Sequence, residues 1–160
     1  MNSDDLEAGL RAAADPDAPA SEAGIRVTAL LDGSCKEWSG ADAAQALRDG
    51  LLGYVRAMAG AMVWIDLTAP APAQVAEVAT LLELHPLVAE DIVEGNQRPK
   101  IEATNGVIHL VLFALELAEG VRTHEIDFVL GEGFLLTAHP SGWDPRGGTS
   151  FRDGLEPILR

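Results

Sequence analysis

The almost uninterrupted apolar run from Val107 to Leu117 constrains the fold more than any other feature of this chain. It is far too short for a bilayer, which takes about 20 residues of helix. It fits a central strand covered on both faces. The next segment, Arg122 to Leu130, alternates, with Ile126 and Phe128 facing one way and Glu125 and Asp127 the other. Glu119-Gly120 would join the two as a hairpin. Gly131-Glu132-Gly133 would turn the chain tightly into Phe134 to Ala138. Together these segments predict an antiparallel meander.

The first half of the chain reads differently. Ile25 to Leu31 predicts a strand closed by Asp32-Gly33, and Ala61 to Leu67 a buried strand ended by Pro70 and Pro72. Ala41 to Ala59 carries Ala44, Leu47, Leu51, Tyr54 and Met58 at helical steps. Gly50 and Gly53 each weaken that helix by about 1 kcal/mol relative to alanine. Ala73 to Leu84 is a second helix, with Val75, Val78, Ala79 and Leu82 on one face. Pro86 opens a third, stopped by Gly95-Asn96. Ile101 to Ala103 is a short strand. Helices alternating with strands early, and strands running together late, predict an α/β fold: a mixed parallel and antiparallel sheet flanked by helices.

The chain divides into an acidic tail over residues 1–24 and one domain over 25–160. The tail holds Asp4, Asp5, Glu7, Asp15, Asp17 and Glu22 against Arg11 alone, with Pro16 and Pro19 among alanines, so it reads as disordered. Residues 141–149 form a loop rich in Gly and Pro. Phe151 to Leu159 begins a helix that meets the chain end, so the C-terminal part reads as truncated. No segment is long enough to span a membrane, and the acidic N-terminus is no secretory signal.

A formal net charge of −14 disfavours nucleic acid, whose phosphates require clustered Lys and Arg. It suits a solvated acidic surface, a divalent cation, or basic segments of another protein. Cys35, the only cysteine, lies in a Gly-Ser-Cys-Lys stretch that reads as a turn. It excludes an intrachain disulfide or thiolate cluster and suits a reducing cytoplasm.

The chemistry concentrates in Leu84 to Glu102, LHPLVAEDIVEGNQRPKIE. Glu90 and Asp91 are neighbours on a helix and point about 100° apart. They cannot comfortably hold one ion together, but each can lend an oxygen to a separate site. Magnesium suits such a site, because it keeps most of its waters and takes one or two carboxylates. On the residues alone, a solvated charged face over Glu90 and Glu94 is the plainer reading. His85, His109, His124 and His139 are scattered without HxxxH or HExxH spacing, which gives no sign of a histidine zinc site. His85 is expected to be pinned at a helix start, and His109 and His124 to belong to the sheet. Arg98-Pro99-Lys100 reads as a rigid turn whose cations pair with Glu94 or Glu102. Asp66 is a lone carboxylate at a strand end, a position that open-sheet enzymes use, but with no evident partner.

Four segments, in order, resemble the N-terminal cytoplasmic domain of the CorA magnesium transporter family. They are Val63-Trp64-Ile65-Asp66-Leu67; Leu84-His85-Pro86-Leu87 with Glu90-Asp91-Ile92; Gln97-Arg98-Pro99-Lys100; and Phe134-Leu135-Leu136-Thr137-Ala138-His139. The middle two are the specific ones. The resemblance implies a sheet sandwiched by helices at the cytoplasmic face of the membrane. It implies a stalk helix, two membrane helices and a Gly-Met-Asn loop in the full transporter, none of which this chain contains. It implies a homo-pentamer in which Mg2+ between neighbouring domains holds the pore shut, with Asp91 at the interfacial position and Glu90 at a second regulatory one. His85, Pro86, Gln97, Arg98, Pro99 and Lys100 are then structural motif residues. The chain by itself is expected to be mainly monomeric, to bind Mg2+ weakly and to catalyse no reaction. Alternatives are a zinc-transporting member of the superfamily, with Co2+ or Zn2+ as the ion, a solitary protein-interaction domain, or an α/β enzyme using Asp66 and Asp91 as acid and base.

Overall fold

The computed structural model describes residues 24–117 and 120–141. The acidic tail up to residue 23, the loop from residue 142 and the helix expected over Phe151 to Leu159 lie outside the described residues. The elements are β1 (Gly24–Leu31), β2 (Ser34–Ser39), α1 (Gly40–Arg48), α2 (Leu51–Ala57), β3 (Met62–Thr68), α3 (Pro72–Leu81), α4 (Pro86–Glu94), β4 (Lys100–Thr104), β5 (Val107–Leu117), β6 (Val121–Gly131) and β7 (Phe134–His139).

The seven strands form one sheet in the order β2-β1-β3-β7-β6-β5-β4. β3 pairs with β7 in parallel, and the neighbouring pairs on either side are antiparallel. The sheet is therefore mixed, as its sequence pattern predicts. β5, β6 and β7 form the expected meander, which β4 extends by one strand.

The helices of the described residues pack on one face. Val27 and Ala29 of β1, Val63, Ile65 and Leu67 of β3, and Phe134 and Leu136 of β7 meet Leu47, Leu51, Val55, Val75, Val78 and Ile92 of the helices there. The other face carries Thr28, Trp64, Asp66 and Thr137 toward the β1 side, fixed by the registers Thr28↔Trp64 and Asp66↔Thr137. Toward β4 the same face carries Ile101, Ile108, Leu112 and Leu130, each well exposed.

Four local expectations change. Ser34–Ser39 is a strand, so Cys35 lies exposed in β2 rather than in a turn. The turn is Asp32-Gly33, both at positive φ (48° and 74°), the two-residue hairpin conformation. The helix expected over Ala41 to Ala59 is two helices, broken where Gly50 takes φ 94°, which glycine alone adopts without strain. α3 ends at Leu81 rather than Leu84, because Glu83 turns left-handed at φ 56°. Finally, β5 is not central. It lies next to the edge strand β4, and Ile108 and Leu112 are each 45% exposed on the face without described helices. An apolar run shows that a strand can be buried on both faces, not that both are covered.

The β6–β7 turn is fixed by packing. A Cβ at Gly131 would lie 2.3 Å from the ring of Phe134, which is 2% exposed. Only glycine lets that ring fold back over the turn and enter the core.

Candidate metal centre

α4 positions the acidic pair, and its ends are locally determined. His85 is the N-cap, and its Nδ1 accepts from Leu87 N–H at 3.2 Å, as expected of a pinned histidine. Pro86 takes the first helical position, where its missing N–H costs nothing. Gly95 closes the helix in the left-handed conformation at φ 57°. Val88 and Ile92 bury the inner face of α4, which turns Glu90 out to solvent and Asp91 toward the sheet. The two carboxylates thus diverge, as their adjacency on a helix requires.

After α4 the chain is tied down by Gln97, whose backbone N–H donates to both carboxylate oxygens of Glu125 at 3.1–3.2 Å. Arg98 and Pro99 are exposed. Lys100 opens β4 and reaches back under the helix. Its Nζ lies 2.5 Å from Asp91 Oδ2 and 3.1 Å from Glu102 Oε2. The expected pairing with Glu102 is present, and Asp91 takes the place proposed for Glu94. The hydrogen bond from Asp91 is the largest influence on Lys100 and holds its ammonium above the ordinary 10.5 against the opposing effect of burial.

Beneath this pair lies His109, 1% exposed. Its Nε2 is 2.8 Å from Asp127 Oδ1, and a carboxylate can only accept, so Nε2 donates. In the neutral ring this leaves a lone pair on Nδ1. That atom is buried without a hydrogen-bond partner among the described residues, 4.0 Å from Asp91 Oδ2. One ligand atom each from Asp91, Glu102 and His109 lie within 4.8 Å of one another.

Next to the cluster a cleft of about 410 Å³ opens between α4 and the ends of β3 and β7, lined in part by Ile92, Phe113, Glu125, Asp127 and His139. Burial is the main cause that raises the Glu125 carboxyl above its ordinary 4.5. The Gln97 N–H opposes it, and the charge of Asp127 adds to it.

Asp66 is not alone. Thr137 Oγ1 donates to its Oδ1 at 2.5 Å, Trp64 Nε1 donates to Thr137 Oγ1 at 2.9 Å, and His139 Nε2 lies 3.3 Å from Asp66 Oδ1. The strand registers put Asp66 on the face of Thr137, Phe128 and Leu110, whereas Lys100, which binds Asp91, shares the face of Val111. Asp66 and Asp91 therefore lie on opposite faces of the sheet and cannot act together as acid and base.

Of the residues singled out in the sequence, the structure brings Asp91 and Lys100 together and leaves Glu90 and Arg98 apart from them. Glu102, His109 and Asp127 escaped a reading by spacing, because they meet only across strands. One signal could have found Glu102 and His109. Asn105-Gly106, at φ 51° and 79°, is a hairpin turn that sets Thr104 opposite Val107 and so Glu102 opposite His109.

The chain has sequence relatives among the CorA-like family. Residues 59–145 match the family model described as CorA-like Mg2+ transporter protein, and the chain belongs to that family. It is 34% identical over 79 residues to the metal ion transporter YfjQ of Bacillus subtilis (strain 168), a match covering 49% of this chain and 24% of that protein. The chain thus spans about a quarter of the length of the curated relative it matches. The fold is similar to the full-length CmaX protein, with a TM-score of 0.57 and 11% identity over 78% of this chain and 37% of that one. The soluble domain of CorA from Methanocaldococcus jannaschii aligns with a TM-score of 0.45 and 17% identity, over 62% of this chain and 38% of that one. Among the described residues no helix is long and apolar enough to cross a membrane.

Proposed function

We propose that this chain is the regulatory, cation-sensing cytoplasmic part of a magnesium transporter. Mg2+ bound at Asp91, with Glu90 beside it, bridges neighbouring copies of the domain in a homo-pentamer and favours the closed pore. The observation that carries the reading is the family match, which runs through α4 and Lys100. The donor set supports it. Glu90 and Asp91 offer hard carboxylate oxygens, and their divergence on α4 leaves most of the coordination to water and to a neighbouring chain, as Mg2+ tolerates.

The Lys100 ammonium gives the sensor a threshold. A cation that recruits Asp91 competes with a partner only 2.5 Å from its inner oxygen. Low Mg2+ leaves Asp91 with Lys100, and high Mg2+ draws it to the interface. The test is Mg2+ flux through the full-length transporter in vesicles, with internal Mg2+ varied. The Asp91→Ala and Glu90→Ala proteins are expected to keep conducting at internal Mg2+ that closes the wild type. Wild-type closure in both variants would refute the assignment.

A further inference from the structure

We infer that Asp91, Glu102 and His109 form a second kind of cation site, complete within one chain, for a divalent transition metal such as Co2+ or Zn2+ rather than Mg2+. The inference does not depend on the transporter reading, because no ligand comes from another copy.

Three observations converge. First, a cation already occupies the region: the Lys100 ammonium lies against Asp91 and Glu102 at 2.5 and 3.1 Å. The two carboxylates are thus arranged around positive charge. Second, the ammonium leaves one group unsatisfied. His109 Nδ1 is buried, has no hydrogen-bond partner among the described residues, and faces Asp91 Oδ2 across 4.0 Å. With the ring neutral, the two lone-pair atoms at that distance gain nothing from each other without a cation between them. Third, the far side of the ring is already set up for ligation. Asp127 holds Nε2–H at 2.8 Å, which in the neutral ring leaves the lone pair on Nδ1. Carboxylate–histidine–metal triads have this arrangement.

The donor set decides the metal. An imidazole with two carboxylates suits zinc, cobalt or nickel, while magnesium prefers oxygen and water alone. A tetrahedral ion with bonds of about 2.0–2.1 Å needs its ligands about 3.3 Å apart. Asp91 Oδ2 and His109 Nδ1 must therefore close in by well under 1 Å, roughly the difference from their present 4.0 Å. Glu102, with its side chain 58% exposed, can swing inward once its ion pair with Lys100 is broken. Lys100 must leave, and it opens the edge strand β4, from which its side chain can turn into water. Lys100 is then a tethered competitor that the metal displaces.

The test is titration of the metal-free chain with Co2+, read by the visible absorption of the bound ion and by the NMR signals of the His109 ring. One Co2+ per chain is expected, with a shift of the His109 signals that excess Mg2+ does not reverse. Glu102→Gln, at a side chain 58% exposed, should weaken Co2+ roughly tenfold, the scale of a lost metal-site contact. Lys100→Gln should tighten it roughly tenfold, by removing a charged hydrogen bond that the metal must break. Absence of Co2+ binding in both the wild type and Lys100→Gln would overturn the proposal. So would binding that leaves the His109 signals unmoved, that Mg2+ reverses, or that neither substitution changes.

Discussion

Thr137 donates its hydroxyl to Asp66 at 2.5 Å across the one parallel strand pair of the described sheet. Asp66 is 1% exposed, and its carboxylate is held in place by this donor and by His139 3.3 Å away. Removing a donor from a buried acceptor costs more than the bond is worth, because the acceptor keeps its desolvation penalty. Thr137→Val conserves shape and removes the hydroxyl from both Asp66 and Trp64. It should destabilise the fold by about 2 kcal/mol, measured by urea unfolding.

Gly131→Ala tests the packing of the β6–β7 turn. The new methyl would lie 2.3 Å from the Phe134 ring, and that ring has no room to retreat because it is buried in the core. Overpacking of this kind costs about 1–3 kcal/mol. The loss should appear as a lower thermal midpoint. An unchanged midpoint would mean that the turn can shift as a unit.

Glu125 gives the fold a pH dependence of known sign. Its carboxyl is raised in the folded state, chiefly by burial. The folded protein therefore binds this proton more tightly than the unfolded chain does. The group's contribution is most favourable below its ordinary 4.5 and turns unfavourable as pH rises through the folded value. Glu125→Gln keeps an acceptor for the Gln97 N–H and removes the charge. The variant should be more stable than wild type at neutral pH, and the difference should shrink in acid. A variant that is less stable at neutral pH would show that the charged acceptor outweighs the burial cost.

For the chain alone, weak Mg2+ binding is expected, on the order of millimolar, because one carboxylate and waters improve little on the hydrated ion. Asp91→Ala should change that affinity little, and the non-specific share from the −14 charge should fade with salt. Calorimetry at two salt concentrations separates the two. Light scattering at micromolar concentration should give a mass near one chain, and a stable pentamer would contradict this.

Where a boundary was set by local chemistry, the sequence sufficed. Pro86 and Gly95 bracket α4, and the run from Val107 to Leu117 is β5, residue for residue. Where the answer depended on what packs against a segment, the sequence fell short. β2 reads SCKEWS, and only Trp38 among its residues is buried, so it shows little periodicity despite pairing along its whole length with β1. The acidic pair on α4 was visible because its residues are adjacent. The neighbouring His109 was hidden, because it lies 18 positions further along the chain than Asp91 and across a helix-to-sheet contact. A single histidine within an apolar run carries no mark of the lone pair it presents.

The parallel pairing of β3 with β7 also has a consequence for the order of synthesis. On the ribosome, β3 emerges with β1 as its neighbour, and its other edge stays open until residues 69–133 have followed. An unpaired edge made of Val63, Ile65 and Leu67 is a template for the wrong strand. A nascent chain stalled just before Phe134 should therefore remain sensitive to protease and sticky toward its neighbours on a polysome. Release of the six-residue strand Phe134–His139 should close β3 and the two hairpin systems together in one cooperative step.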